Sequence, residues 1–245
     1  DDTARRDVPA RLMASPQRSQ TYGISLEAIT PVCCGTDDEE SLFYECGRQI
    51  LADLHSTLSA EPVGLMLTDA DGLVLNRISG DTALLQALDQ VHLAPGFTYS
   101  EREVGTNGLG LALADRVPTL VRADDHYTLS LCGYTCAAAP VFGPQSGRLE
   151  GAINLTTWSD ARPDLLLALA QSAATSTANL MLARATGHRP RRVPRGHVFR
   201  VEAVQPEPGS GSVHALSDAW NNAVAQAAEA VKAGRTVAAV GEWGS

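Results

Sequence analysis

The spacing of apolar residues changes period several times along this chain. Over residues 39 to 59, Leu42, Phe43, Ile50, Leu51, Leu54 and Leu58 recur at helical spacing behind an acidic N-terminal run, where the helix dipole favours negative charge. From Pro62 the period shortens. "VGLMLTDADGLVLNRIS" reads as two strands around the turn Asp69-Ala70-Asp71-Gly72. A helix is predicted over about 81 to 91, followed by an irregular stretch, "HLAPGFTYSEREVGTNG". Next come a short helix ("GLGLALAD"), a strand ("PTLVRA"), a helix beginning at Asp124-Asp125, and a hairpin of "YTCAAAPVFG" with "GRLEGAINLTTW". A 23-residue helix from Pro163, a favourable early helical position, closes the segment. These elements predict an α+β domain over residues 39–185, an antiparallel sheet flanked by helices.

Both ends read differently. Residues 1–38 form a polar, turn-rich extension with a short helical piece ending near Gly23. Residues 186–212, with "TGHRPRRVPRGH" and "QPEPGSGS" around a possible strand, "VFRVEAV", read as a linker. In residues 213–245, "VHALSDAWNNAVAQAAEAVKAG" spaces its apolar positions as a helix, and Thr236 to Val240 read as a buried strand. Gly241-Glu242-Trp243-Gly244-Ser245 then fills the first five places of G-x-x-x-x-G-K-[ST], the loop whose backbone N–H groups curl around phosphate. Gly241, Gly244 and Ser245 are therefore candidates for an incomplete nucleotide-binding loop, and the expectation is a fragment cut before an ATPase lysine. An ordinary tail is the alternative.

Composition narrows the function classes. With 44% hydrophobic and 19% charged residues the chain is globular, and its net charge of −9 argues against gripping nucleic acid or an anionic membrane. No uninterrupted apolar run approaches the ~20 residues that span a bilayer. A cytoplasmic location is expected. The cysteines, Cys33, Cys34, Cys46, Cys132 and Cys136, are odd in number and lack both a disulfide framework and C-x2-C spacing. Small buried thiols are the simpler reading; a metal cluster with His126 is the other.

The strings "LTDADGLVLNRISGD", "LAPGFTYSEREVGTNGLGLAL" and "YTCAAAPVFGPQSGRLEGAINLT" closely resemble the GAF sensor domain of enhancer-binding transcription activators of the acetoin-catabolism and dihydroxyacetone-kinase-operon type. The resemblance is strong over residues 40 to 185 and weaker over 10 to 31. It implies a GAF-like fold and an order of sensor, AAA+ ATPase and Fis-type helix-turn-helix. ATP and Mg would serve the full-length parent, with no cofactor in this fragment. DNA and RNA polymerase would be met only through C-terminal domains. The stretch His197 to Ser212 departs from what that family carries ahead of its ATPase.

Within the motif, Gly105, Gly108 and Gly110 permit turns and close backbone approach, and Thr106 and Asn107 are positioned to cap the next helix. Glu101, Arg102 and Glu103 read as a solvated face, with Glu103 the candidate inward anchor. The three alanines and cysteine of "TCAAAP" leave space above a central strand, for a packed helix or for a ligand. The resemblance places a cavity there, and Phe97, Tyr99, Glu103, Asn107, His126, Tyr127, Tyr134, Cys136 and Asn154 are its candidate ligand-binding residues. Arg102, Arg116 and Arg122 are scattered rather than forked, which favours a small uncharged organic effector over a phosphate or dicarboxylate.

The expected function is thus a signal-sensing regulatory region, without enzymatic activity of its own, that controls a downstream ATPase and DNA-binding domain. Two alternatives remain: a redox or metal sensor through the cysteines and His126, and a GAF-type methionine sulfoxide reductase using Cys132 or Cys136. A homodimer through the helices near 39 to 59 and 163 to 185 is expected, since Leu165, Leu166, Leu169, Leu180 and Leu182 exceed what one sheet face needs.

Overall fold

The computed structural model describes residues 10–35, 41–159, 163–188 and 218–237. The chain divides into two units, residues 1–190 and 191–245. The larger unit is α+β: a five-stranded sheet of order β2-β1-β5-β4-β3 with helices on both faces. The strands are β1 (Val63–Asp69), β2 (Val74–Ile78), β3 (Thr119–Arg122), β4 (Tyr134–Phe142) and β5 (Leu149–Trp158), all paired antiparallel. Pro140, which has no N–H to donate, lies beyond Ala138, the last β4 residue paired with β3, so it removes no ladder bond on that side.

The helices are α1 (Ala10–Thr21), α2 (Leu42–Leu58), α3 (Thr82–Gln90), α4 (Glu101–Val104), α5 (Gly108–Asp115) and α6 (Pro163–Ala185). Ser41 caps α2 by accepting from the Tyr44 N–H at 3.0 Å, and Asp81 caps α3 by accepting from Leu84 at 2.7 Å. One boundary differs from expectation. The helix predicted from Asp124-Asp125 is only a 3-10 turn, Ala123–Asp125, because His126 returns to extended backbone.

The two sheet faces carry separate cores. On one, α2 and α6 cover Leu65, Leu67, Ala137, Ile153 and Leu155. These helices run antiparallel, since Arg184 near the end of α6 donates to Glu45 at 2.9 Å and Gln49 at 2.6 Å near the start of α2. Leu165–Ala185 is long and apolar enough to cross a membrane by length and composition, yet here it buries Leu166, Ala170, Ala173, Ala174 and Met181 against the sheet. On the opposite face, α3, α5 and the irregular segment 91–107 cover Met66, Val74, Ala138 and Ala152.

In the second unit, α7 (Asp218–Lys232) forms the predicted helix, with Val224 and Val231 exposed. Thr236 and Val237 lie outside any strand. The remainder of the predicted strand, with Gly241, Gly244 and Ser245, lies outside the described residues, as does most of the linker.

Candidate functional site

The small residues of β4 serve both faces of the sheet. Ala137 and Ala139 point to the α2/α6 side, where alanines at 170, 173 and 174 let helix and sheet approach closely. Cys136 and Ala138 point the other way. Across the ladder, Cys136 pairs with Thr156 and Ala138 with Asn154, and Asn154 pairs in turn with Met66. Because directly opposed residues share a face, these side chains make one floor.

The motif "EVGTNGLG" builds the roof. Gly105 has a positive φ of 78°, and a Cβ there would stand 2.9 Å from the Tyr127 ring. At Gly108 a Cβ would lie 2.8 Å from both the Cβ and the carbonyl oxygen of Cys136, so only glycine lets α5 start directly against β4. Asn107 caps that helix, accepting from the Gly110 N–H at 2.8 Å, and donates to the carbonyls of Gly105 at 2.8 Å and Tyr99 at 3.3 Å. The capping role expected for Asn107 is the one observed.

Floor and roof leave a cavity of about 10 Å³ lined by Leu93, Tyr99, Asn107, Leu109, Leu131, Tyr134, Cys136, Asn154 and Thr156. Five of the nine candidate ligand residues, Tyr99, Asn107, Tyr134, Cys136 and Asn154, therefore come together. Four do not. Phe97 stacks on His92 with ring centroids 5.2 Å apart. Glu103 sits half-buried and accepts from Ser100 at 3.2 Å. Tyr127 packs over Gly105. His126 is buried elsewhere, its Nδ1 3.0 Å from the Ala123 carbonyl and its Nε2 buried without a partner.

The inward carboxylate is Glu101, not Glu103. It is only 4% exposed and accepts from Arg18 Nε at 3.0 Å, with Ser15 a further donor. Ser15 and Thr106 are 2.7 Å apart, and Ser19 reaches Thr106 at 3.3 Å. Thr106 thus anchors α1 rather than capping α5. The segment after α1 continues over the same face: Leu129 donates to Leu26 at 2.8 Å, Thr98 to Val32 at 3.0 Å and Cys34 to Gly96 at 2.8 Å. Sequence reading missed Glu101 and Arg18, which are 83 residues apart, and Thr156. Leu93, Leu109 and Leu131 were missed as well, since as lining they look like any core leucine.

Burial governs the local acidities. The Cys136 thiol is pushed up to about 11 by desolvation, against which a hydrogen bond from Thr156 acts weakly. It stays protonated at neutral pH, which suits neither a nucleophile nor a metal ligand. Burial, with Asp124 nearby, also raises Cys132. Burial holds the Tyr99 phenol well above its ordinary value, and this hydroxyl donates to the Val91 carbonyl. Among the described residues no group of three His, Cys, Asp or Glu side chains is placed to hold a metal.

Comparison with known proteins agrees with the resemblance read from the sequence. The chain is 35% identical over 166 residues to the propane 2-monooxygenase operon transcriptional activator MimR of Mycolicibacterium goodii, a match covering 68% of this chain and 28% of the relative. It is 27% identical over 118 residues to the acetoin dehydrogenase operon transcriptional activator AcoR of Bacillus subtilis, covering 48% of this chain and 19% of that one. In the crystal structure of the E. coli DhaR(N)-DhaL complex, a chain superposes with a TM-score of 0.67 at 22% identity, over 72% of this chain and 62% of that chain, and so shares the fold. The chain spans little more than a quarter of the length of MimR. The first two are transcriptional activators. Residues 5–179 match the family model described as MimR, N-terminal domain, and the chain belongs to that family of transcriptional-activator regulatory domains.

Proposed function

We propose that the chain is the signal-sensing region of a cytoplasmic transcriptional activator. It binds a small uncharged organic effector in the cavity beneath α5 and controls an ATPase and a DNA-binding domain that lie C-terminal to it. ATP, Mg, DNA and RNA polymerase belong to those domains. The observation that carries this reading is the small, apolar-surfaced cavity on the loop-covered face of the sheet, with Cys136, Asn154 and Thr156 among its lining residues. Few polar groups in an apolar lining orient a small neutral molecule. No described arginine lines the cavity, so a phosphate or dicarboxylate would lack its forked partner.

The cavity is near the size of a single water, so a larger effector must displace the leucines on the roof, which stand on loops and α5 rather than on the sheet. For a ligand of four heavy atoms, about 1.5 kcal/mol per atom sets a ceiling near 6 kcal/mol, a dissociation constant of tens of micromolar at best. The test is a thermal-shift and calorimetric screen of small alcohols, ketones, aldehydes and phenols against the wild type and Cys136→Leu. The substitution fills the cavity floor, costing about 1 to 3 kcal/mol in overpacking, and should weaken binding while the domain stays folded. Equal binding by the variant would place the site elsewhere.

A second reading is favoured by the DhaR(N)-DhaL complex, a complex with another protein. In that reading the input is a protein docking on the outer surface, and Cys136→Leu leaves it unchanged. The domain is further proposed to dimerise through α2 and α6. Leu166 and Leu180 are used inside the unit, whereas Leu42 and Leu182, at the same end of the antiparallel pair, are 38% and 42% exposed.

A further inference from the structure

We infer that the cavity selects a short hydrocarbon over an alcohol or ketone of the same shape, because its surface offers a ligand no hydrogen-bonding atom. The inference rests on the sensing reading above and specifies its ligand.

Polar side chains stand around this space, yet the surface it presents is wholly apolar. Their hydrogen bonds explain why. Asn107 spends both donors of its amide on the carbonyls of Tyr99 and Gly105 and its oxygen on the Gly110 N–H. The Tyr99 hydroxyl donates to the Val91 carbonyl. Thr156 Oγ1 accepts from Asn154 Nδ2 at 2.9 Å and donates to Cys136 Sγ at 3.4 Å. Asn154 Oδ1 has no partner, but it is itself buried and adds no surface to the cavity. Tyr134, stacked on Trp158 with ring centroids 5.7 Å apart, likewise contributes no polar surface. Each of these residues therefore meets the space with its apolar atoms.

Such a wall sets the order of ligand preference. A water needs about two to four polar partners and meets none on this surface. The oxygen of an alcohol or ketone would leave bulk water without a replacement hydrogen bond, a cost that a carbon in the same position does not carry. A hydrocarbon gains dispersion contacts with Leu93, Leu109 and Leu131 as these leucines give way to admit it.

The test titrates the full chain in gas-equilibrated buffer with shape-matched pairs, isobutene against acetone and isobutane against 2-propanol. The methyl resonances of Leu93, Leu109 and Leu131 report both occupancy and affinity. In the wild type each hydrocarbon should bind on the order of 10-fold tighter than its oxygenated counterpart, or more, the usual consequence of burying an unpaired polar group. In Cys136→Leu, which fills the cavity, the hydrocarbon response at these leucines should weaken several-fold, whereas partition onto the exposed leucines of α6 would persist. Acetone or 2-propanol binding the wild type as tightly as its hydrocarbon counterpart overturns the inference and leaves the sensing reading standing. If neither the hydrocarbons nor any oxygenated member of the panel binds, or if binding is equal in Cys136→Leu, the sensing reading fails and takes the inference with it. The wild-type ratio, read at the three leucines, decides even where the variant does not fold.

Discussion

Ala137 and Ala138 are neighbours on one strand, yet they belong to two different kinds of interior. Beneath Ala137 the α2/α6 face is closed by hydrocarbon: leucines and alanines interlock, and its polar tie is the exposed Arg184 fork. Above Ala138 the face is closed by short helices, loops and the N-terminal segment, held by Ser15, Arg18, Glu101, Thr106 and Thr128 and enclosing a cavity. A face assembled from loops and polar contacts opens locally at lower cost than one built from long packed helices. The contrast separates a helix-packed face from a loop-covered one within a single sheet.

The largest effect is expected from truncating matched leucines on the two faces. Leu67, fully buried beneath α2 where Gly47 crosses it, should lose about 2 to 5 kcal/mol on change to alanine, read by urea unfolding. It should leave effector affinity alone. Leu109→Ala, in the cavity wall, should cost about 2 kcal/mol, the low end of that range, because it extends existing space that a ligand or loop can fill. It should also admit larger neutral ligands. Equal stability losses with no gain in ligand size would mean that both faces are scaffold.

Next in size is a pH effect on the loop face. Desolvation lowers His126 to about 4, partly offset by its bond to the Ala123 carbonyl. The folded state therefore holds a neutral ring that the unfolded chain protonates near 6.5. Stability from this group is complete above pH 6.5 and is lost as pH falls from there toward 4, by an amount of order 3 kcal/mol. His126→Asn should flatten the melting temperature across that window. An unchanged slope would show that other groups set the acid limit.

The hydrophobic period was enough to find most of the elements, because amphipathic spacing and turn residues act locally: α6 begins and ends where its pattern does, and both hairpins close as read. What the pattern could not reveal was pairing at long range. Glu101 and Glu103 are indistinguishable in sequence, and partners on α1, among them Arg18 83 residues away, meet the one that turns inward. His126 and Tyr127 were expected in the lining from where the resemblance places a cavity, but the 3-10 turn at Ala123–Asp125 carries them elsewhere. The glycines were legible for the opposite reason, since a Cβ clash at Gly108 is fixed by backbone geometry.

A smaller effect tests whether the polar latch belongs to the responsive face. Glu101→Gln keeps the shape and an acceptor but removes the charge that Arg18 meets, with Asp115 remaining 3.7 Å from the same guanidinium. Because Arg18 is one-third exposed, solvent screening limits the loss to about 1 kcal/mol or little more. Hydrogen exchange should quicken over α1 and the strap to Cys34 while α2 and α6 stay protected. Uniform quickening across both faces would erase the distinction.

The smallest effect on stability carries the sharpest test of the scaffold face. Leu182 is 42% exposed on α6, close to Arg184, whose fork to Glu45 brings the start of α2 and exposed Leu42 to the same end. Substitution by glutamate at such a position changes folding free energy by no more than about 0.5 kcal/mol, because the side chain already meets solvent in the single domain. If this end is where two copies meet, the same change buries a charge against an apolar partner without compensation, and association fails. Sedimentation at tens of micromolar should then show the wild type at twice the mass of Leu182→Glu, with superimposable melting curves after correction for concentration. A wild type that sediments as a monomer would assign the exposed leucines to a different protein partner, and the α2/α6 face would become an input surface in its own right.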